Sequence, residues 1–493
     1  MLYTSTRNKN LKVTSSEAIT RGISEEGGLF VPCEIPKISQ KDIEEMILMS
    51  YTERAKKILS LYLTDFTPEE LEHCVNGAYR EGKFASEKIA PLATLNRNAE
   101  ILELFWGPTC AFKDMALQIL PYLLTTASKR VAPDKEIIIL VATSGDTGKA
   151  ALEGFKDVDR TRILVFYPAD GVSPMQKLQM ATQEGKNVGV CAIKGNFDDA
   201  QTGVKKILTN KNVSAKLAEN KMMFSSANSI NWGRLVPQIV YYCSAYCDYL
   251  EKNPGLKEIN VVVPTGNFGN ILAAYYAREM GIPVKTLICA SNTNNVLTDF
   301  LKTGEYNRNR PFYTTTSPSM DILISSNLER LLFHLSGEND EEIRAYMKEL
   351  STQGRYQVKP ELKEKIKTLF EAGFLTEENV EKTINQTYPT YLSDTHTAVA
   401  IGVYNDYVEK TGDKTPTIIA ATASPYKFAK SVLTALKGKK PNIDEFSMIT
   451  ELSKLTNTTI PTPLANLQDK KIRFTKIVDI DEMENCVYDL LHI

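Results

Sequence analysis

No stretch of this 493-residue chain is apolar for long enough to span a bilayer. The charge has no dominant sign either. The 58 Lys and Arg nearly balance 60 Asp and Glu, for a net −2, which speaks against nucleic acid or an anionic membrane as the main partner. The first residues, Met1 to Arg7, lack the basic stretch and apolar block of a signal peptide, and acids follow too soon for a transit peptide. A cytoplasmic protein is expected. The eight cysteines contain no C-x-x-C pair and no zinc-ligand spacing with His, so neither a metal site nor a disulfide framework is expected. Cys243 and Cys247 stand four apart, as small core residues on one helix face. Walker and dinucleotide motifs are missing too, and no repeat or low-complexity stretch stands out.

What is present alternates. The segment 136–142 is a nearly continuous apolar run, as in a strand buried on both faces. Similar runs recur at 163–167, 188–193, 259–263, 284–289 and 417–422, most of them followed by helix-forming sequence. That order implies an α/β protein with parallel sheets, whose ligands bind in turns at the carboxyl ends of strands. The first ninety residues read as helical, at 42–61 and 67–80, and Thr67-Pro-Glu-Glu70 is a helix start. Positions 303–386 read as a charged helical insertion or subdomain, and the chain from 441 as a small closing element. The expected division is therefore 1–92, 93–440 and 441–493.

Four segments carry candidate chemistry. Thr265-Gly-Asn-Phe-Gly-Asn270, between a strand and a helix, has the glycines and free amides of a phosphate cup. Thr143-Ser-Gly-Asp-Thr-Gly148 is a second such turn, which taken alone reads more readily as helix capping. Ser225 to Arg234 gathers small polar residues before an arginine suited to phosphate. In Phe105-Trp-Gly-Pro-Thr-Cys-Ala-Phe-Lys-Asp114, Lys113 stands alone in an apolar stretch, where burial would lower its pKa and free its amine as a nucleophile. A lone lysine is more often a solvated charge. Together, the four describe an anion-binding site with an amine nucleophile, which is what a pyridoxal phosphate enzyme requires.

These segments, in this order, resemble the threonine synthase family in its longer form. Arg21-Gly-Ile-Ser-Glu-Glu-Gly-Gly-Leu-Phe-Val-Pro32, Ser319-Met-Asp-Ile322 and Ser326-Asn-Leu-Glu-Arg330 add to the likeness. The resemblance implies a fold-type II pyridoxal 5′-phosphate enzyme related to tryptophan synthase β. It would have two open twisted α/β domains and a mainly helical N-terminal domain. It would convert O-phospho-L-homoserine and water into L-threonine and phosphate, as a monomer or homodimer. Lys113 would bond to the cofactor. Gly266, Asn267, Phe268, Gly269 and Asn270 would hold its phosphate, and Thr422 its ring nitrogen. Thr143, Ser144 and Asp146 would face the substrate carboxylate. Thr147, Asn228, Ser229 and Arg234 would hold the substrate phosphate. Trp106, Ser424, Tyr426 and Cys110 depart from the family pattern. His396 reads more readily as structural than catalytic, and Asp321 and Asn327 as residues that could close over the substrate.

Overall fold

In the computed structural model, residues 1–493 are described except Ser144 and Gly171, and except the side chains of Phe197 and Asp198. Its apolar runs form two sheets. The first has the order Phe370–Phe374, Val284–Ser291, Ile259–Pro264, Thr417–Ala421, Ala99–Glu103, Leu92–Asn96, parallel except for the last pair. The second has the order Ile477–Val478, Val188–Ile193, Thr161–Pro168, Glu136–Ala142, Met222–Ser225 and is parallel throughout.

Successive side chains of a strand point to opposite faces, and both faces are covered here. Val261 and Val263 join the core beneath the long helix Trp232–Lys252, while Val262 packs with Val399 and Ile401 of the helix Thr395–Thr411. Likewise Ile137, Ile139 and Val141 face the large core, and Ile138 and Leu140 face Val204, Val487 and Leu491. A run buried on both sides cannot alternate in polarity, which is why these strands read as continuous apolar stretches.

Three expectations change. The N-terminal region opens with a three-stranded antiparallel sheet of Asn8–Val13, Tyr3–Ser5 and Phe30–Pro32. The expected helix at 42–61 is two helices, Gln40–Ile47 and Tyr51–Tyr62, because Ser50 and Glu53 form a capping box that starts the second. The 303–386 stretch is mainly helical but also carries strands. Its strand Phe370–Phe374 is the edge of the first sheet, and Glu305–Asn307 pairs with Arg355–Gln357. The tail also belongs to a sheet, since Val478 pairs with Ile193.

The N-terminal region is fastened to the rest by buried polar contacts. Arg54 reaches Asp248 at 2.5 Å and the Ser244 hydroxyl at 2.8 Å, and Arg7 pairs with Glu329 at 2.7 Å. Among the described residues no helix is long and apolar enough to cross a membrane.

Candidate functional site

Lys113 begins the short helix Asp114–Leu117 at the end of an irregular loop. Asp114 shapes that loop from inside: its carboxylate accepts from the Thr109 amide and hydroxyl, each at 2.8 Å. Burial pushes the Asp114 carboxyl up to about 6. Gly107 is obligatory, because a Cβ there would lie 2.5 Å from Asp114 Cβ. The loop is laced to the chain following Thr417–Ala421, with Phe112 N donating to Thr422 O at 2.8 Å and Ser424 N to Cys110 O at 3.0 Å. Lys113 and Thr422, 309 positions apart in sequence, are thereby held close together.

Lys113 is partly exposed to solvent, yet protein surrounds it closely enough to desolvate its ammonium. Burial is the main cause lowering its pKa to about 8; Lys427 and Arg234 lower it further, and Asp146 opposes them. A sizeable fraction of the amine is therefore neutral near physiological pH.

Lys427 is a residue that sequence reasoning did not single out. Its Nζ lies 2.6 Å from Asp146 Oδ1 and 3.0 Å from the Thr109 carbonyl, with the side chain buried. Burial alone would raise the Asp146 carboxyl, but Lys427 and Lys113 outweigh it and hold the group well below the usual carboxylate range. Gln176 Nε2 donates to the same oxygen at 3.2 Å. The signal that could have revealed Lys427 is the one that selected Lys113, a single lysine in a largely apolar stretch.

Around Asp146, Gly145 has φ +149°, a conformation that favours glycine. The Thr143 hydroxyl accepts from the amides of Gly145 at 3.0 Å and Gly148 at 2.9 Å, so it shapes the turn. The helix Asp146–Phe155 has Gly145 as its N-cap, with no side-chain cap, and Thr143 meets only its Gly148 amide. Ser144 lies outside the described residues. Thr147 is half-buried on the first turn of the helix Asp146–Phe155.

The cup after Ile259–Pro264 turns through Phe268, at φ +65°, into the helix Gly269–Met280. Gly266 lies against the backbone of Ser319, where a Cβ would be 2.6 Å from the carbonyl oxygen. Asn267 O accepts from Asn327 N at 3.1 Å, and Asn327 Nδ2 donates to Ser229 Oγ at 3.2 Å. Asn270 Oδ1 accepts from the Tyr241 hydroxyl at 2.8 Å and from Tyr242 at 2.5 Å, which leaves its buried Nδ2 without a partner. Arg234 is similar. It is buried, donates from Nη1 to Ala227 O, and has no partner at Nε and no carboxylate pair among the described residues. Burial lowers its pKa to about 10. Unmet buried donors are costly. Asn228, by contrast, is exposed at the rim.

The remaining candidates have structural partners. Asp321 accepts from Asn292, Asn294 and Thr315 and so ties down its own loop. Asn327 is fully buried and links Asn267, Ser229 and Arg330. Trp106 donates to Glu103 at 3.0 Å, Ser424 Oγ accepts from Tyr426 N at 3.4 Å, and the Tyr426 hydroxyl turns away to Thr458. Among the described residues no cluster of acids, His and Cys could hold a metal ion.

Known proteins are similar to this chain in sequence and fold. Residues 2–79 match the family "Threonine synthase N terminus" and 397–487 match "Threonine synthase, C-terminal". Over 490 residues the chain is 40% identical to human threonine synthase-like 1, covering 96% of this chain but only 64% of that protein. It is 34% identical to threonine synthase of Saccharomyces cerevisiae, across 99% of this chain and 98% of the relative. A PLP-bound threonine synthase from Brucella melitensis superimposes with a TM-score of 0.88 at 34% identity, covering 99% of each chain. The yeast threonine synthase structure gives 0.89 at 32%, covering 100% of this chain and 99% of that one.

Proposed function

The chain belongs to the threonine synthase family, and from that premise we propose that it is a pyridoxal phosphate-dependent lyase making L-threonine. Its substrate would be O-phospho-L-homoserine, from which phosphate leaves Cγ and to which water adds at Cβ. The fold is that of fold-type II enzymes. One observation carries the reading: Lys113, an amine of lowered pKa, lies within the field of Arg234, a buried guanidinium whose Nε has no partner.

The residues fit the cofactor. Lys113 would bond to it, and Thr422, whose carbonyl is engaged by Phe112, would offer its hydroxyl to the ring nitrogen. A hydroxyl there leaves the ring less protonated than a carboxylate would. The amides of Gly266, Asn267, Phe268 and Gly269, with Asn270, would hold the cofactor phosphate at the start of a helix. Once bound, the cofactor draws electrons from the Cα of an attached amino acid.

The protein's own groups do the rest. The neutral Lys113 amine takes the proton from Cα. Arg234, with Thr147, Asn228 and Ser229, holds the substrate phosphate. A buried guanidinium lacking a carboxylate partner attracts a dianion more strongly than an exposed one. Thr143, Ser144 and Asp146 would face the substrate carboxylate, and Lys427 balances the charge of Asp146. A cytoplasmic location, a monomeric or homodimeric state and the division at 1–92, 93–440 and 441–493 belong to the same proposal.

The test is incubation with O-phospho-L-homoserine. Equal amounts of L-threonine and phosphate are expected, and Lys113→Ala removes both the activity and the cofactor absorbance. The chain is more similar to human threonine synthase-like 1 than to the yeast enzyme, so the same assay includes a second product. Phosphate with 2-oxobutyrate and no threonine identifies a phospholyase instead.

A further inference from the structure

Two segments that the site has not absorbed meet beside Lys113. Asp394 is fully buried and begins the helix Thr395–Thr411. Its carboxylate accepts from the amides of His396 and Thr397 at 2.9 and 3.0 Å, and pairs with His396 Nδ1 at 2.7 Å. The other ring nitrogen, Nε2, accepts from the backbone N–H of Ser319 at 3.2 Å. That contact places the ring proton on Nδ1, toward the carboxylate. His396 is buried, with its ring edge-on to Phe428 at 4.8 Å.

Ser319 is held on two sides yet exposed. Its amide is fixed by His396, and its carbonyl abuts Gly266 of the cup. Its hydroxyl accepts from Lys113 Nζ at 3.4 Å. A surface serine would need no such support. An exposed hydroxyl on a backbone gripped by a buried Asp–His pair is a group presented to the crevice.

We propose that Ser319 is a further catalytic residue whose hydroxyl orients the Lys113 amine while it acts as base, and that His396, aligned by Asp394, is its positioning residue. This rests on the reading of Lys113 given above. No bond is made or broken by Ser319. It restricts the directions in which the amine's lone pair points, which shortens the search for the Cα proton.

The test follows exchange of the Cα hydrogen of L-threonine with solvent deuterium by NMR, using holoenzyme. Exchange needs the base but not phosphate loss. Ser319→Ala should slow exchange about 10-fold, the effect of one hydrogen bond to the amine, with KM within about 2-fold of wild type. His396→Leu should give the same slowing, and His396→Gln, which keeps an acceptor near Nε2, should recover most of the rate. Cofactor absorbance and circular dichroism report that each variant is folded. Exchange at the wild-type rate in folded Ser319→Ala overturns the inference and leaves the proposed function standing. No exchange in wild type overturns the role of Lys113, and this inference with it.

Discussion

The Lys427 ammonium lies 2.6 Å from Asp146 Oδ1 and 3.0 Å from the Thr109 carbonyl, so one buried side chain joins the Lys113 loop to the Asp146 turn. A buried pair of this kind adds little stability over an apolar equivalent, but removing one partner strands the other charge. Lys427→Met should therefore cost about 3 kcal/mol, measured by urea unfolding. It should also change Lys113. With a repelling cation gone and Asp146 released, the Lys113 ammonium is stabilised and its pKa rises from about 8. Asp146→Asn acts in the opposite sense and lowers it. The pH dependence of Lys113 trinitrophenylation in cofactor-free protein reads both directions. Shifts of the same sign in the two variants would contradict this account.

Arg234 presents the reverse case, a buried cation without a carboxylate. Replacing it by Met removes an uncompensated charge, so stability should stay within about 1 kcal/mol of wild type. Ligand linkage should disappear instead. Inorganic phosphate at about 100 times its Kd stabilises a binding protein by about 2.7 kcal/mol. Wild type should show such a rise in melting temperature and Arg234→Met should not. A large loss of stability without phosphate would make Arg234 a structural residue.

The strands were readable because burial on both faces leaves a simple trace. The expected runs at 136–142, 259–263 and 417–422 correspond to Glu136–Ala142, Ile259–Pro264 and Thr417–Ala421. Thr67 caps its helix as its motif implies. Short strands were not readable. Tyr3–Ser5 and Phe30–Pro32 have three residues each, too few for alternation to register. Phe370–Phe374 was hidden because it is an edge strand, half-buried and set among charged helices. In the proposed site, motifs singled out Lys113 and the segment 266–270. The pairing of Lys427 with Asp146 spans hundreds of residues and leaves no local pattern. Nor is there a local pattern for Ser319 and His396, whose contact joins the turn Pro318–Met320 to the start of the helix Thr395–Thr411.

Asn270 separates two functions of one amide. Oδ1 accepts from Tyr241 and Tyr242, and Nδ2 is free. Asn270→Asp keeps the shape and the tyrosine contacts but replaces the free donor with an oxygen. If Nδ2 serves the cofactor phosphate, the affinity for pyridoxal phosphate falls at least about 10-fold, because a hydrogen bond to a charged group becomes a repulsion. An absorbance titration of cofactor-free protein measures this. Unchanged affinity would assign the amide to the core.

His334 should set part of the acid stability. Its Nε2 meets the Tyr276 hydroxyl at 2.8 Å, and its ring packs edge-on to Tyr276 and beside Tyr275. Burial, reinforced by the Arg330 guanidinium, lowers its pKa from 6.5 to about 4. The unfolded chain, with its histidine at the ordinary value, then binds the proton more readily than the folded protein does. Stability from this group is complete above about pH 6.5, declines as pH falls, and levels off below about pH 4. The full difference amounts to about 3 kcal/mol. His334→Gln keeps a hydrogen-bonding group but cannot titrate, so it should flatten the unfolding free energy between about pH 4 and 6.5 relative to wild type. Urea unfolding at several pH values checks this, and parallel curves for the two proteins would show that His334 does not titrate in that window.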